Sequence, residues 1–295
     1  MRLPPFELLQ PETLEEAIAA TGRDDDTRLI GGGTALVPMM RLGLVRPERV
    51  VSLHRVPGLA AIAVDGDVLH AGAMVSVADL ARDPAVRRGW PLLAEAAGRV
   101  ATPAIRSSAT LGGSLAYAEA ASDPAPALLC LEAEMSLAGP GGERRVPIRS
   151  FFTGFYETAL AQGEIVTGVR VPAAAPGARS GYVKFCPRSA EDKPLIGVAA
   201  QIVLGARAGA CSEVRIGLAG AAPTPIRAAC AEAVLRGAEL DDRSIRAAAG
   251  AAADEAEPLS DVMGSADYRR QMVGVWVRRL LTALRDGGPV PGTGR

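Results

Sequence analysis

Hydrophobic and polar positions along the first hundred residues predict a mixture of short helices and short strands. Apolar positions recur at helical spacing over residues 12–20, after Thr13, which predicts a helix that begins at this threonine. Residues 59–74 instead alternate on either side of Asp65 and Gly66, which predicts a β-hairpin with its turn at these two residues. Further strands are predicted over 27–30, running into a glycine turn, and over 48–53, and helices over 76–83 and 91–101.

The middle of the chain continues this alternation. Pro124 and Pro126 precede a short apolar stretch that predicts a helix, and residues 132–148 predict a second hairpin with its turn over Gly139 to Gly142. A strand follows over 164–172. The composition then changes to alanine, proline and glycine over 172–181, and we place a domain boundary there, so that domains are predicted over 1–175, with lobes of about 1–56 and 57–175, and over 178–287.

The second predicted domain begins with strand-like runs and ends with helices. The strands are predicted over 181–187, 195–205 and 213–221, and the helices over 225–237 and 265–288. In the last helix Ser265 is the expected N-cap and Gly287 lies just past the end. Its residues Met272, Trp276, Leu280 and Leu284 recur at helical spacing, which predicts a stripe that faces the core. Residues 288–295 are expected to form a disordered tail.

Length and composition agree with two modest globular domains. The chain has 295 residues, 48% of them hydrophobic, and a net charge of −1, so its charge does not indicate a nucleic-acid partner or an acidic membrane surface. Its most apolar window, 195–206, is shorter than the roughly 20 residues of a membrane span and contains Gln201. Because the N-terminal residues show no apolar signal segment either, we expect a cytoplasmic protein without a membrane span.

Cysteines and histidines give no pattern typical of a metal site. The four cysteines, at positions 130, 186, 211 and 230, include no C-x-x-C pair, and the chain has only His54 and His70. Iron–sulfur clusters need several closely placed cysteines. We therefore expect no metal ligand on this chain, and we interpret the cysteines as small buried hydrophobic residues in a reducing compartment.

Two glycine-rich loops carry the candidate chemistry. The first is "GGGT" at 31–34, and the second is "TLGGSL" at 110–115. Neither fits a P-loop, which ends in Gly-Lys-Ser/Thr, and the first also lacks the third glycine and the later acid of a Rossmann fingerprint. Successive backbone N–H groups without side chains bind anions, so two such loops are expected to hold the two phosphates of a diphosphate, helped by the hydroxyls of Thr34, Thr110 and Ser114. For the first loop taken alone, a plain tight turn stays an alternative.

The sequence "GGSLA" also comes close to the nucleophile elbow of serine hydrolases. In hydrolases of that type the serine precedes the acid and the histidine. Both histidines of this chain precede Ser114, so this interpretation is set aside.

Two long segments resemble the FAD-binding medium subunit of molybdenum hydroxylases. They are "LIGGGTALVPMMRLGLVRPERVVSL" and "IRSSATLGGSLAYAEAASDPAPALLCLEA", followed by "VKF", "RSAEDKP" and "GLAGAAPTPIRAACAEAVLRG" in matching order. The resemblance implies an α+β fold, with a two-lobed FAD-binding domain of the p-cresol methylhydroxylase type and a small C-terminal domain of antiparallel sheet plus helices. It also implies that FAD is the cofactor and that the chain acts as an oxidoreductase component.

The resemblance assigns roles to particular residues. Asp123 matches an acid at the nucleotide end of FAD, with a helix cap as the alternative, and Val166 and Lys184 match positions that line the flavin. A solvated lysine on a strand is the alternative for Lys184, and no catalytic residue is implied. The residues expected to contact FAD are Leu29, Ile30, Gly31, Gly32, Gly33, Thr34, Ala35 and Leu36 in the first loop, Thr110, Gly112, Gly113 and Ser114 in the second, and Val100, Tyr117, Asp123, Val166, Lys184 and Lys193 elsewhere.

Three positions depart from the family pattern. Tyr117-Ala118-Glu119 replaces a common His-Ala-Asp, Lys193 replaces an apolar or aromatic residue expected beside the flavin, and the first loop has no histidine for covalent flavin attachment. A cation at Lys193 is expected to raise the flavin potential or to admit a different oxidant.

The expected function is electron transfer within a molybdenum hydroxylase. The chain would take electrons from a small [2Fe–2S] subunit, beside a large molybdopterin-binding subunit in a dimer of heterotrimers, and pass them to NAD⁺, a quinone or dioxygen. The alternatives are a stand-alone flavin reductase of the same fold, such as the reductase of UDP-N-acetylmuramate synthesis, and a non-catalytic assembly subunit that has lost its flavin.

Overall fold

The computed structural model describes residues 3–22, 26–205 and 210–292, and it confirms the expected α+β fold. A small parallel sheet, a larger antiparallel sheet and a second antiparallel sheet follow one another along the chain. No helix within the described ranges is long and apolar enough to cross a membrane.

The N-terminal part builds the parallel sheet, in the strand order β1-β3-β2. Thr13 starts the first helix as predicted, because its hydroxyl accepts a hydrogen bond from the Glu16 amide at 3.1 Å. The elements are β1 (Glu7–Leu9), α1 (Leu14–Thr21), β2 (Thr27–Ile30), α2 (Leu36–Arg41) and β3 (Arg49–Ser52). Helix α2 was not predicted, because it is only six residues long and Pro38 lies within it.

The central part builds the larger antiparallel sheet, in the order β4-β5-β10-β6-β7. Its strands and the small hairpin beside it are β4 (Ile62–Asp65), β5 (Val68–Gly72), β6 (Glu134–Gly139), β7 (Gly142–Pro147), β8 (Phe152–Gly154), β9 (Glu157–Thr158) and β10 (Ile165–Pro172). Its helices are α3 (Val77–Arg82), α4 (Pro84–Gly89), α5 (Pro91–Gly98), α6 (Pro103–Ser108), α7 (Leu111–Ala116) and α8 (Pro124–Cys130).

Both predicted hairpins are present, and one turn is shifted. Asp65 still pairs with Val68, so the turn of the first hairpin consists of Gly66 and Asp67, one residue later than predicted. Gly66 has φ +55°, and a glycine at the first central position of a two-residue turn supplies the positive φ that this turn needs. The second hairpin pairs Gly139 with Gly142, as predicted.

The C-terminal part is an antiparallel sheet covered by helices, as the resemblance implied. Its elements are β11 (Arg179–Phe185), β12 (Ile196–Leu204), β13 (Cys211–Ala219), β14 (Ile226–Arg227), α9 (Ala229–Leu235), α10 (Asp242–Glu255) and α11 (Ala266–Asp286). The predicted helix over 225–237 begins only at Ala229, because Ile226 and Arg227 pair with β13 as β14. Helix α10 was not predicted, since its alanine-rich face carries few large apolar residues.

Strand β12 is buried on both faces, which explains its continuous apolar sequence. Ala199 belongs to the core of the central part, whereas Val198 and Ala200 belong to the core of the C-terminal part. Helix α8, all of whose residues are buried, lies against β12 and β13. The contact is close, since a Cβ on Gly217 would lie 2.3 Å from the Pro126 carbonyl oxygen.

Helix α11 has the predicted caps. Ser265 accepts a hydrogen bond from the Tyr268 amide, and Gly287 ends the helix with φ +64°. Of the predicted stripe, Leu280 and Leu284 are buried, whereas Met272 and Trp276 are half-buried at its edge. Residues 293–295 of the predicted tail lie outside the described residues.

Candidate functional site

The first glycine loop leaves a run of backbone donors unpaired. It joins β2 to α2, and Gly33 has φ +70°, a conformation that favours glycine. Among the described residues, no hydrogen-bond acceptor meets the N–H groups of residues 31–36, which are half-buried. Several successive backbone N–H groups without acceptors on one loop are a typical arrangement for binding an anion, so this run suits a bound anion. A plain tight turn does not explain it.

The second loop differs from the prediction. Its residues open helix α7, and the amides of Leu111 and Gly112 already donate to the carbonyl oxygens of Val75 and Ala73, both at 2.9 Å. Thr110 caps the helix by accepting from the Gly113 amide at 3.2 Å. The predicted second cradle of free amides is therefore wrong, because the chain uses these donors to join two of its own segments. The hydroxyls of Thr110 and Ser114 remain as donors.

The two loops touch each other, and glycine makes this contact possible. A Cβ on Gly32 would lie 1.7 Å from the Ser108 carbonyl oxygen, and one on Gly31 would lie 2.7 Å from Thr110 Oγ1. Gly112 approaches Ala73 in the same way, with a Cβ distance of 2.5 Å. Gly31 and Gly32 therefore allow the first loop to pack against Thr110 and Ser108, and Gly112 allows the second loop to pack against Ala73.

Both loops open onto one cavity of about 460 Å³, within the usual range for small-molecule sites. Every residue that the sequence predicted to contact FAD lies on its wall. The wall also contains residues that were not predicted, among them Met74, Ala101, Glu119 and Leu160. Ala101 has φ +37°, but no local sequence signal marks it.

Asp123 and Lys184 form a buried ion pair on the cavity wall. Lys184 Nζ lies 3.1 Å from Asp123 Oδ2 and donates to the Arg99 carbonyl at 2.7 Å, while the Tyr182 hydroxyl donates to Asp123 Oδ1 at 2.7 Å. The side chains of the ion pair are only 4% and 6% exposed. Lys184 is therefore not a solvated lysine, and Asp123 does not act as a helix cap, because its carboxylate accepts no hydrogen bond from the first turn of α8.

The pair joins two residues that the resemblance assigned to different ends of FAD. It implied Asp123 at the nucleotide end and Lys184 at the flavin, and the structure puts their charged groups in contact. Burial raises the pKa of Asp123 to about 6, although Lys184 and Tyr182 act to lower it. Burial beside Asp123 also raises the pKa of the Tyr182 hydroxyl well above its ordinary value.

Four side chains form what we call the rim cluster: Tyr117, Glu119 and Lys193, which line the cavity, and Tyr156 beside them. Because the Lys193 side chain lines the cavity and is 65% exposed, the cluster marks a place where the cavity opens to solvent, which we call its mouth. Glu119 Oε2 accepts hydrogen bonds from Lys193 Nζ and from the Tyr156 hydroxyl, the latter at 2.8 Å. The Lys193 ammonium lies 5.9 Å from the centre of the Tyr117 ring, and that ring packs against the Tyr156 ring at a tilt of 56°, with the ring centres 5.1 Å apart. Burial raises the pKa of Glu119, but the hydrogen bonds from Lys193 and Tyr156 outweigh it, and the net pKa is lowered.

The described residues outside this cavity give no metal-binding cluster. Within the described ranges, no group of three or more His, Cys, Asp and Glu side chains is placed to hold a metal ion. All four cysteines are free, and the Cys130 thiol is fully buried, where burial raises its pKa to about 12.

The fold and the cavity define a flavoprotein. The unpaired amides of the first loop and the hydroxyls of the second suit a diphosphate, and apolar residues such as Val100 and Val166 suit a planar ring. Residues 4–174 match the family of the FAD binding domain in molybdopterin dehydrogenase, and residues 181–284 match the CO dehydrogenase flavoprotein C-terminal domain. The chain therefore belongs to the family of FAD-binding medium subunits of molybdenum hydroxylases.

Named relatives cover almost the whole chain. The carbon monoxide dehydrogenase medium chain of Hydrogenophaga pseudoflava is 37% identical over 281 residues, covering 95% of this chain and 97% of that protein. The nicotine 6-hydroxylase medium subunit of Paenarthrobacter nicotinovorans is also 37% identical, covering 95% and 98%.

Solved structures agree with this membership. The Hydrogenophaga pseudoflava carbon monoxide dehydrogenase that lacks the Mo-pyranopterin moiety gives a TM-score of 0.94 at 37% identity, covering 98% of this chain and all of that one. Quinoline 2-oxidoreductase from Pseudomonas putida 86 gives a TM-score of 0.91 at 32% identity, covering 97% and 99%.

Proposed function

We propose that this chain is the electron-transferring FAD subunit of a three-component molybdenum hydroxylase. It takes electrons from a small [2Fe–2S] subunit, beside a large molybdopterin-binding subunit, and passes them to NAD⁺, a quinone or dioxygen. The observation that carries the proposal is the run of unpaired amides at residues 31–36 on a cavity lined by every residue expected to contact FAD. Relatives named as a medium chain and a medium subunit support membership of such an assembly.

The residues of this chain have distinct parts in binding. The N–H groups of the first loop donate to the diphosphate, and the hydroxyls of Thr110 and Ser114 add donors. The Asp123–Lys184 pair supplies a carboxylate and an ammonium with fixed positions, held by Tyr182. When bound, FAD supplies chemistry that accepts electrons singly or in pairs, while the protein orients it and excludes water.

The assembly and compartment follow from the same proposal. We expect a dimer of heterotrimers, because the relatives' names imply larger and smaller partners. The four free cysteines favour a reducing compartment such as the cytoplasm.

Affinity purification of the full-length tagged chain from its native host tests the proposal. We expect two further subunits to co-purify, with visible absorption from flavin and iron–sulfur groups, and we expect substrate of the complex to bleach the flavin band under anaerobic conditions. A chain that purifies alone and is reduced directly by NADPH would contradict the proposal in favour of a stand-alone reductase. A colourless chain that takes up no added FAD would contradict it in favour of an assembly subunit.

A further inference from the structure

The rim cluster connects segments that are distant in sequence. Lys193 lies between β11 and β12, Glu119 follows α7, and Tyr156 lies in the turn between β8 and β9. The side chains of Tyr117, Glu119 and Lys193 also line the cavity. The lysine side chain therefore extends from the C-terminal part to the central part at the mouth of the cavity.

The two charged residues of the rim cluster differ in exposure. The Glu119 side chain is 16% exposed, whereas that of Lys193 is 65% exposed. Glu119 is thus the anchored member of the ion pair, because it accepts hydrogen bonds from the Tyr156 hydroxyl and the Ala121 amide. Lys193 is the outer member and is exposed to solvent. A hydrogen bond between two charged groups is about twice as strong as a neutral one.

The backbone is strained at two positions close to the Glu119 carboxylate. Ala118, next to Glu119, has φ +51°, and Tyr156 has φ +60°. Left-handed conformations are unfavourable for a residue with a side chain, and they persist where surrounding contacts impose them. The two strained residues thus lie beside and within the hydrogen bond that the Tyr156 hydroxyl donates to the Glu119 carboxylate.

We propose that Glu119 and Tyr156 are positioning residues that hold Lys193 across the mouth of the cavity, and that this bridge slows the release of bound FAD. The inference rests on the proposed placement of FAD in the cavity. A ligand that leaves through the mouth must wait for the lysine to swing away from both Glu119 and the Tyr117 ring, so breaking the bridge speeds release without removing any residue of the phosphate loop.

A double-mutant cycle on the FAD-loaded full-length chain tests the bridge. FAD release is followed by the rise in flavin fluorescence after dilution, for wild type, Glu119→Gln, Lys193→Gln and the double variant. Each single change is expected to speed release about threefold to tenfold, and the double variant is expected to be no faster than Lys193→Gln, which already loses the contacts with both Glu119 and the Tyr117 ring. Added sodium chloride is expected to speed release from wild type more than from the variants, since only wild type has the exposed ion pair that salt screens.

Two further variants separate a bridge from general loosening. Tyr156→Phe keeps the ring and removes one hydrogen bond, and is expected to give a smaller acceleration. The matched control is Glu134→Gln, which breaks an ion pair with Arg170, at 3.1 Å, away from the cavity; it is expected to leave the release rate unchanged.

Three results would each overturn the proposed bridge and leave the placement of FAD intact: a wild-type release rate in Glu119→Gln, additive effects in the double variant, or equal acceleration by Glu134→Gln. A wild-type chain that takes up no FAD would instead overturn the proposed placement of FAD.

Discussion

Replacing Gly32 with alanine tests whether close contact between the first loop and Ser108, just before the second loop, is required for FAD binding. The new Cβ would lie 1.7 Å from the Ser108 carbonyl oxygen and 2.5 Å from its carbon, whereas real Cβ atoms essentially never come within 3.0 Å of a neighbour. The backbones must therefore separate by about 1.3 Å, the difference between 3.0 Å and 1.7 Å. Because the atoms in the way belong to the backbone, no side-chain rotation relieves this overlap.

The expected cost of Gly32→Ala follows from this overlap. Overpacking usually costs about 1–3 kcal/mol, and a clash with backbone belongs at the upper end, so we expect the free energy of unfolding to fall by about 3 kcal/mol. The amides of residues 31–36 move with the loop, and we expect FAD affinity to fall by about 100-fold, taking as a guide the loss of rate that a displacement of about 1 Å causes in enzymes. Urea unfolding of the FAD-free chain measures the first effect, and quenching of flavin fluorescence during titration measures the second.

The control for Gly32→Ala is the same chemical change in open space. Gly250 lies inside α10, and no atom of another segment lies within 4 Å of the position that a Cβ would take there. Gly250→Ala should therefore stabilise the chain by up to about 1 kcal/mol and leave FAD binding unchanged. Wild-type FAD affinity in Gly32→Ala would refute the argument that contact between the loops shapes the site.

Further predictions concern the buried ion pair and the helix cap. Lys184→Met leaves Asp123 without its partner in the interior and should lower the free energy of unfolding in urea by about 3–5 kcal/mol. The control Asp267→Asn breaks an exposed ion pair and should lower it by less than about 1 kcal/mol. Similar losses for both variants would contradict a buried ion pair between Lys184 and Asp123. Burial raises the pKa of Asp123 from 3.8 to about 6, so the folded state holds the carboxyl proton more tightly than the unfolded chain does. As the pH rises from about 4 to 6, the contribution of Asp123 to the free energy of unfolding therefore falls, by about 3 kcal/mol in total. Asp123→Asn should remove that part of the pH dependence, and identical pH profiles for both proteins would count against it. Thr110→Ala removes the cap on the Gly113 amide and should cost about 1 kcal/mol in thermal unfolding, whereas Thr110→Ser should keep most of the stability; equal losses would show that the hydroxyl does not act as a cap.

Strands and capped helices were accessible from the sequence because their signals are local. The alternation before and after Gly66 and the cap at Ser265 each depend on residues within a few positions, and both features are present. Helix α10 was missed because alanine fills its buried face, leaving little contrast between buried and exposed positions. Short helices such as α2 were missed for the related reason that six residues give too few repeats of the helical period.

The site was harder to anticipate than the fold, because its decisive contacts join distant residues. Glycine patterns marked both loops, but no local signal shows that the Gly112 amide already donates to Ala73. Likewise, Asp123 and Lys184 were assigned separately, and only the folded chain brings them to 3.1 Å. Two of the departures from the family pattern, at Glu119 and Lys193, were treated as independent, although the structure makes them partners.

Helix α8 carries a consequence for synthesis of the chain. Its residues are all buried, and part of their cover comes from β12 and β13, which end only at Ala219. A ribosome adds about 5–20 residues per second, so after Cys130 is made the apolar helix waits on the order of ten seconds for strands that have not yet been translated. During that interval the nascent chain exposes the apolar surface of α8, which favours aggregation with other chains. A chaperone that covers this surface until β13 has been translated would raise the yield of native protein.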